Sequence, residues 1–273
     1  MAHDLDKLSP ELQGPWQRLL ELLRGHGSLL VAFSGGADSS LLLAAAVQAL
    51  GEAVTAGLCL GPLTPPWEVA AARALAAGLG VELLEIDPED LGDPDIAANG
   101  PERCYFCKRR RLGLLQDQAA RLGLAGVAEG SQLDDAGGHR PGARAVAELG
   151  VASPLAQAGL HKAEVRALGR ALGLAAADAP AGACLATRLP FGTPLTRQAL
   201  QRVAAAEGAV RGLLGGQVRV RDHFPLARLE LDPAAMARAV QDKTRRRILA
   251  ALIAAGYDRV TLDLAGYRPH TPN

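Results

Sequence analysis

Residues 29 to 40 read Leu-Leu-Val-Ala-Phe-Ser-Gly-Gly-Ala-Asp-Ser-Ser, and the rest of the chain is arranged around them. The five apolar residues predict a buried strand, and the apolar pattern from Leu41 to Leu50 predicts a helix. The two glycines between them allow a sharp turn and a close approach of the backbone to a ligand. Because hydroxyls and a helix N-terminus lie there, the stretch predicts a phosphate cradle. The residues assigned to the cradle are Ser34, Gly35, Gly36, Asp38 and Ser39.

The order Ser-Gly-Gly-x-Asp-Ser resembles the PP-loop of ATP pyrophosphatases, and no lysine follows the glycines as it does in a Walker loop. The resemblance implies an enzyme that splits ATP between the α and β phosphates and leaves AMP on its substrate. The alternative interpretation of the same residues is an ordinary strand–turn–helix junction with a Ser or Asp cap.

The composition limits what kind of protein this is. A chain of 273 residues, 49% of them hydrophobic, is long enough for one or two domains with a sizeable core. Basic and acidic residues number 29 each, which argues against a large nucleic acid as partner. No apolar run approaches the ~20 residues of a membrane span, and residues 1–10 lack a signal-peptide core. We therefore expect a cytoplasmic protein with neither a nucleic-acid nor a membrane partner.

Apolar runs alternate with helical patterns over the first two thirds of the chain. The strands are predicted over 28–33, 54–60, 81–86 and 126–129. The helices are predicted over 10–24, 38–50, 67–78, 103–122 and 161–172. This alternation predicts an α/β fold, a parallel sheet with helices on both faces, whose ligands lie beyond the carboxyl ends of the strands. Cys59 lies in the second strand and is predicted to be a small core residue.

Two further segments complete the predicted organisation. Residues 134–144 are rich in glycine and charge without an apolar period, and we interpret them as a site loop. The charged residues of the 161–172 helix, Lys162 among them, are predicted to point outward. After the Ala-, Gly- and Pro-rich residues 175–195, a small α/β domain is expected, so the predicted domains are 1–192 and 193–273. Its elements are predicted as a helix over 196–214, strands over 217–222 and 226–231, a helix over 233–254 and a strand over 260–264.

The pair Cys104-x-x-Cys107 opens the 103–122 helix among five basic residues, which favour thiolate over thiol. Three functional interpretations are open: a redox or disulfide pair, half of a zinc site completed by residues such as His139 or His161, or two ligands of an iron–sulfur cluster. Two unrelated thiols are the alternative. Cys184 lies in the segment Ala-Cys-Leu-Ala-Thr-Arg, where Arg188 would favour the thiolate and could hold a phosphate; an inert filler is the alternative for this cysteine.

Several strings together resemble the LarE family, the ATP-dependent sulfur transferases that build the nickel-pincer cofactor of lactate racemase. They occur in order along nearly the whole chain. They are SGGADS (34–39), RCYFCK (103–108), EGS (129–131), RPGAR (140–144), SPL (153–155), CLATR (184–188), RVR (219–221) and LDLAGYR (262–268).

The resemblance implies a reaction and its site residues. Such enzymes adenylate a carboxylate of a pyridinium-3,5-dicarboxylate mononucleotide, and sulfur then displaces AMP to give a thiocarboxylate. ATP would lie on the PP-loop with Mg²⁺, and Cys184 would deliver the sulfur. The residues that resemble the family's substrate and nucleotide contacts are Glu129, Arg144, Thr187, Arg188, Arg219 and Arg221. Candidate contacts of a divalent ion are Asp38, Glu207 and Glu230.

The family uses two sources of sulfur. In one mechanism the loop cysteine gives up its own sulfur and becomes dehydroalanine. In the other, three cysteines ligate a [4Fe–4S] cluster and the enzyme turns over. Cys104, Cys107 and Cys184 form the set that a cluster needs, and we favour the cluster. The family also implies a homo-oligomer, with hexamers as one form.

Three other functions are considered. A PP-loop enzyme that thiolates tRNA would need a basic surface, which a net charge of zero does not favour. An amidating ligase would not need three placed cysteines, and a non-enzymatic scaffold would leave the PP-loop unexplained. The small-molecule sulfur transferase accounts for all of these features.

Overall fold

The structure, a computed structural model, describes residues 8–137, 141–180 and 182–268. The chain divides into two compact units. Of the described residues, those within 1–61, 68–89 and 104–182 form the first unit, and those within 62–67, 90–103 and 183–273 form the second.

A four-stranded parallel sheet forms the centre of the first unit. Its strands are β1 (Leu29–Ala32), β2 (Val54–Cys59), β3 (Glu82–Ile86) and β4 (Val127–Ala128). They lie in the order β3-β2-β1-β4, and every neighbouring pair is parallel. The sheet confirms the predicted α/β class. Because β1 and β4 both end at the same edge, the residues that follow them, Phe33 and Glu129, begin the loops of one candidate site.

Helices cover both faces of this sheet. They are α1 (Pro10–His26), α2 (Ala37–Leu50), α3 (Pro66–Leu79), α5 (Arg103–Arg121), α6 (Pro141–Glu148), α7 (Pro154–Gln157) and α8 (Lys162–Ala171). Leu29 and Val31 of β1 pack in one cluster with residues of α1, α2 and α8, whereas Leu30 packs in another with Leu112 and Leu115 of α5. Since alternate residues of a strand point to opposite faces, the two clusters fill the two faces of the sheet. Cys59 belongs to the second cluster and is buried, as predicted.

The site loop predicted over 134–144 is wrong for residues 141–144, which are helical, while residues 138–140 lie outside the described residues. A 3-10 turn covers Leu133–Gly137, and the α-helix α6 begins at Pro141. Proline is favoured in the first turn of a helix, and Ala145 and Val146 are buried. Two buried apolar residues are too few for the sequence to distinguish this short helix from a loop.

The second unit contains a three-stranded sheet with helices packed on it. The strands are β5 (Val218–His223), β6 (Leu226–Leu231) and β7 (Arg259–Leu262), in the order β5-β6-β7, with β5 and β6 antiparallel and β6 and β7 parallel. The helices are α4 (Pro94–Ala97), α9 (Arg197–Leu214), α10 (Pro233–Ala239) and α11 (Asp242–Ala254), and 3-10 turns cover Asp90–Gly92 and Leu185–Arg188. Val210 of α9 and Leu252 of α11 pack with Val220 and Leu229 in the core.

One detail of the second unit differs from the expectation. The single helix predicted over 233–254 is wrong, because Gln241 has extended backbone (ψ 135°) and starts a second helix as its N-cap. The second compact unit also contains residues 62–67, 90–103 and 183–192, which the predicted boundary places in the first domain. Backbone hydrogen bonds join these segments, from Leu185 N to Leu63 O (2.8 Å) and from Gly192 N to Asn99 O (3.0 Å). The cut at 192/193 stays a prediction.

No helix in the described part of the chain is both long and apolar enough to cross a membrane.

Candidate active site

Residues Ser34–Ser39, named the nucleotide loop here after the role predicted for them, turn the chain sharply from β1 into α2. Gly35 has φ +75°, and a Cβ added there would lie 2.9 Å from the Cβ of Ala72 on α3. A Cβ at Gly130, which follows β4, would lie 3.0 Å from the backbone nitrogen of Ser39. Both positions therefore need glycine, because the loop after β1 lies directly against α3 and the loop after β4 lies directly against the first turn of α2.

The two loop serines hold the turn in shape. The Ser39 hydroxyl donates to the carbonyl oxygen of Gly36 (3.2 Å) and accepts from the backbone N–H of Ser34 (3.2 Å). The hydroxyl oxygens of Ser34 and Ser39 lie 3.1 Å apart, and the Gly36 N–H donates to the Ser34 hydroxyl (3.4 Å). Ser39 is buried. These bonds organise the backbone of the cradle.

Asp38, in the first turn of α2, is paired with a lysine from a distant helix. The Lys162 ammonium donates to both carboxylate oxygens, at 2.7 and 2.6 Å. Lys162 is the first residue of α8, and its side chain is about a third exposed (31%). The prediction that Lys162 points outward is therefore wrong, because the start of α8 lies beside the nucleotide loop and offers the ammonium a carboxylate partner.

Asp134 fixes the start of α8. Its carboxylate accepts the Lys162 backbone N–H (2.8 Å) and lies 2.7 Å from Nδ1 of His161. The His161 hydrogen bond and the Lys162 N–H hold the pKa of Asp134 below its ordinary value. In turn the hydrogen bond to Asp134 raises the pKa of His161, with a smaller contribution from Glu164.

Glu129, directly after β4, is buried and accepts four hydrogen bonds. The donors are the Lys108 ammonium (2.8 Å), the Ser153 hydroxyl (2.7 Å) and the backbone N–H and hydroxyl of Ser131 (3.0 and 2.9 Å). Burial alone would raise the pKa of Glu129, but the Lys108 charge and these hydrogen bonds outweigh it and hold the pKa below its ordinary value. Glu129 is therefore an ionised anchor that joins α5 to the loop after β4.

Cys104 and Cys107 lie one turn apart at the start of α5, and neither is in a disulfide. Helix α6 packs against this turn, since a Cβ at Gly142 would lie 3.0 Å from Cδ of Lys108 and 3.7 Å from the carbonyl oxygen of Cys104. The Tyr105 hydroxyl donates to Glu148 (2.6 Å). The Arg144 guanidinium stacks 3.7 Å from the centre of the Tyr105 ring. Arg144 therefore lies at the contact between α5 and α6.

In the second unit, Cys184 precedes the 3-10 turn Leu185–Arg188, and Arg188 organises that turn. Its guanidinium donates to the carbonyl oxygens of Ala183 (2.8 Å) and Cys184 (3.0 Å) and to the Thr187 hydroxyl (2.8 Å). The Thr187 hydroxyl itself donates to the Cys184 carbonyl (2.9 Å). The backbone that carries Cys184 is thus fixed by two polar side chains.

Arg188 also forms a bidentate pair with Glu207 of α9, at 2.7 and 3.0 Å, and both side chains have no exposed surface. The Glu207 carboxylate accepts the Val220 backbone N–H of β5 as well (2.9 Å). A contact of Arg188 with a substrate phosphate stays a prediction, and it would require this side chain to leave a buried partner. The same holds for a divalent ion on Glu207, whose oxygens already hold these donors.

Arg219 and Arg221 lie two residues apart on β5, on one face as predicted from their spacing. Arg221 pairs with Glu230 on β6 (2.9 Å) and donates to the Thr187 carbonyl oxygen (2.7 Å). Arg219 donates to the Val218 carbonyl oxygen (3.0 Å) and lies 5.2 Å from the centre of the Tyr267 ring. Both arginines are buried, and Arg221 links the β5–β6 hairpin to the Cys184 turn.

Comparison with known proteins identifies the family. No family model matches the chain. The chain is 36% identical, over 92% of its length and 90% of the relative's, to a Lactiplantibacillus plantarum protein named pyridinium-3,5-bisthiocarboxylic acid mononucleotide synthase. The chain belongs to the LarE family. Two uncharacterised proteins are also similar: one of Synechocystis, 39% identical over 88% of this chain and 89% of its own, and one of Methanocaldococcus jannaschii, 28% identical over 89% and 91%.

LarE membership confirms the resemblance drawn from the motifs, and the roles of individual residues stay predictions. Among the described residues of each unit, no three His, Cys, Asp or Glu side chains are grouped as ligands for a metal ion. His139, considered as a zinc ligand, and Arg140, part of the RPGAR string, lie outside the described residues.

Sequence reasoning missed two lysines of the candidate site, Lys108 and Lys162, as partners of carboxylates there. It also missed Ser153, which follows the residue that bridges to β4 at Ala128. One signal could have found Ser153 and Ser131, because both are hydroxyl residues that follow strand-like segments, as Ser34 does. The lysines carry no such signal, since each lies in a helix rich in charged residues.

Proposed function

We propose that this chain is an ATP-dependent sulfur transferase that converts a carboxylate of a pyridinium-3,5-dicarboxylate mononucleotide into a thiocarboxylate, for the nickel-pincer cofactor of lactate racemase. The observation that carries the proposal is the similarity over nine tenths of the chain to the L. plantarum synthase. The glycine turn that leads into the N-terminus of α2 supports the ATP part, because the backbone N–H groups of a helix N-terminus favour a phosphate.

In the proposed first step, a substrate carboxylate oxygen attacks the α phosphorus of ATP, and pyrophosphate leaves. The N-terminus of α2 and the nucleotide loop would bind the anionic pyrophosphate end, with Asp38 available to a Mg²⁺ ion that accompanies ATP. The product of this step is an acyl adenylate, whose carbonyl carbon is now open to a sulfur nucleophile.

In the second step, sulfur attacks that carbonyl carbon and AMP leaves. If Cys184 is the donor, its Sγ forms a thioester; loss of the Cα proton with cleavage of the Cβ–Sγ bond then releases the thiocarboxylate and leaves dehydroalanine at residue 184. The hydrogen bonds from Arg188 and Thr187 to the Cys184 carbonyl oxygen support this role, because they fix the backbone of the reacting residue.

The favoured source of sulfur remains a [4Fe–4S] cluster, which when bound would supply sulfide to the same carbonyl carbon. Cys104, Cys107 and Cys184 would hold it. The donor set fits, because all three thiols are outside disulfides and none is buried. Two of them also lie one turn apart on a helix, a spacing that iron–sulfur sites use.

The function is tested by incubating the protein, purified without oxygen, with ATP, Mg²⁺ and the dicarboxylate mononucleotide. We expect AMP and pyrophosphate in equal amounts and a product in which sulfur replaces oxygen, identified by mass spectrometry. Hydrolysis of ATP without sulfur in the product, or no dependence of AMP formation on the mononucleotide, would overturn the proposal.

The sulfur source is tested on the same preparation by measuring iron and acid-labile sulfide. With a three-cysteine cluster we expect about four of each per chain, lost in Cys104→Ala, Cys107→Ala and Cys184→Ala. Cys59→Ala is the matched control, because Cys59 is a buried core residue of β2. Absence of iron after reconstitution, with dehydroalanine at residue 184 after one turnover, would identify Cys184 as the donor instead.

A further inference from the structure

The ion pair between Lys162 and Asp38 lies on the nucleotide loop itself. Both side chains are about a third exposed, 31% for Lys162 and 30% for Asp38. The ammonium is shared between the two carboxylate oxygens at 2.7 and 2.6 Å. A pair with this exposure can be entered by water and by ligands, and its two partners can separate without exposing a core.

The base of the Lys162 side chain is fixed although its tip is accessible. Asp134 accepts the Lys162 backbone N–H at 2.8 Å and also contacts His161. The His161 N–H in turn donates to Glu164 (2.8 Å). The start of α8 is therefore held by carboxylates on both sides. The flexible part of Lys162 is its four-carbon stem, which can swing the ammonium over a few ångströms around the loop.

Charge explains why a lysine is useful at this place. The proposed ligand end is a pyrophosphate group, and the carboxylate of Asp38 would repel it in the absence of a cation. The Lys162 ammonium cancels that charge in the protein without ligand. When phosphates occupy the cradle, the same ammonium is within reach of them, because it already lies at the first turn of α2.

We infer that Lys162 is a ligand of the pyrophosphate end of ATP, and that Asp38 holds its ammonium at the loop until the phosphates bind. The inference rests on the proposed function and adds a residue to it. During adenylation the bond between the α phosphorus and the bridging oxygen breaks, and negative charge builds up on the departing pyrophosphate. Lys162 stabilises this charge, so it acts in the transition state as well as in binding.

The experiment measures pyrophosphate binding by calorimetry on the full chain, in EDTA and in Mg²⁺, for the wild type and three variants. In EDTA, Lys162→Met is expected to weaken binding about tenfold or more, the effect of losing one charged hydrogen bond. Lys162→Arg keeps the charge and is expected to restore most of the affinity. Asp38→Asn removes the competing carboxylate and is expected to tighten binding in EDTA about threefold or more.

The opposite signs of Lys162→Met and Asp38→Asn distinguish a phosphate ligand from a purely structural pair, in which both variants would weaken binding alike. Arg170→Met is the matched control, since Arg170 lies on the same helix and pairs with Asp178 at the surface. Urea unfolding of each variant verifies that it is folded, and Asp38→Asn decides the question if Lys162→Met is not.

Three outcomes overturn the inference. The first is unchanged pyrophosphate affinity in Lys162→Met; the second is weaker binding in both Lys162→Met and Asp38→Asn. In either case ATP binding by the wild type leaves the proposed function standing. The third is a wild type that binds neither ATP nor pyrophosphate in Mg²⁺, which removes the proposed function together with the inference.

Discussion

The two candidate sites neutralise their charges in different ways. In the first unit, the pair on the nucleotide loop, between Asp38 and Lys162, is open to solvent. In the second unit, the pair that supports Cys184, between Arg188 and Glu207, has no exposed surface. An open pair costs little to form and little to separate, so its members can change partners when a ligand binds. A closed pair, by which we mean an ion pair with no exposed surface, holds the backbone in place. Separating its members would leave a buried charge with neither solvent nor a partner.

Open and closed pairs therefore give different roles to charged residues that look alike in the sequence. Arg188 is a charged residue in a Gly- and Pro-rich segment, which suggests a ligand contact, yet its donors hold the backbone of residues 183 and 184. Lys162 is one charge among several on a helix, which suggests a solvated surface, yet its ammonium contacts Asp38 of the nucleotide loop. Burial of the partner, rather than charge, separates the two roles.

The largest expected effect comes from breaking the closed pair. Arg188→Met leaves the Glu207 carboxylate buried without its guanidinium, and we expect it to lower the free energy of unfolding by about 3–5 kcal/mol in urea titrations. The double variant Arg188→Met with Glu207→Leu is expected to recover part of that loss, since it removes the unpaired charge. Arg73→Met is the control, because Arg73 pairs with Glu85 at the surface and should unfold almost as the wild type does. Equal losses in Arg188→Met and Arg73→Met would show that the burial of the pair does not matter.

An intermediate effect is expected at the pair of Lys108 and Glu129, where the carboxylate is buried (7% exposed) and the ammonium is a third exposed (32%). Lys108→Met removes the charge that keeps the pKa of Glu129 low, and we expect a loss of about 1–3 kcal/mol at pH 7. Because the pKa of Glu129 is lowered in the folded state, its contribution is complete above the unfolded pKa of about 4.3 and is lost as the pH falls through the folded pKa.

The pH dependence separates this mechanism from a loss of packing by the lysine stem. The stabilities of the wild type and Lys108→Met should converge as the pH falls below the unfolded pKa of about 4.3 and then through the lowered folded pKa of Glu129 in the wild type. Arg109→Met, at the neighbouring exposed position of α5, is the control and should follow the wild type at every pH. A constant difference between Lys108→Met and the wild type from pH 7 to pH 3 would contradict the electrostatic explanation.

Much of the first unit follows from local sequence signals. Apolar runs ending in polar residues predict β1 and β4 and place Ser34 and Glu129 at one edge of the sheet, because parallel strands end together. The glycines at 35 and 36 predict the turn, and Gly35 indeed has a positive φ. These features depend on neighbours in the chain, and periodicity reports such neighbours directly.

The sequence does not predict which distant charged residues pair with each other. Asp38 and Lys162 are 124 positions apart, and Arg188 meets Glu207 across a turn and a helix start. A charged residue carries no signal of its partner, whereas an apolar residue at least reports which face it covers. The short helix α6 was missed for a related reason, since its buried residues Ala145 and Val146 are too few to establish a period.

The smallest expected effect, at the exposed pair of His161 and Asp134, is a change in a pKa rather than in stability. His161 and Asp134 are about half exposed (57% and 49%), and their contact raises the pKa of His161 above its ordinary value of 6.5 and lowers that of Asp134. A raised histidine pKa stabilises the fold below the unfolded pKa, and this contribution is lost as the pH rises through the folded pKa; the lowered pKa of Asp134 acts above its unfolded value of about 3.9. The contact should therefore be complete between about pH 4 and 6.5.

An NMR titration of the His161 ring is expected to show the raised pKa in the wild type and a fall toward 6.5 in Asp134→Asn. Glu164→Gln is expected to give a smaller decrease. If Asp134→Asn left the His161 pKa unchanged, the contact between these two side chains would not form in solution, and Asp134 would hold the start of α8 only through the Lys162 backbone N–H.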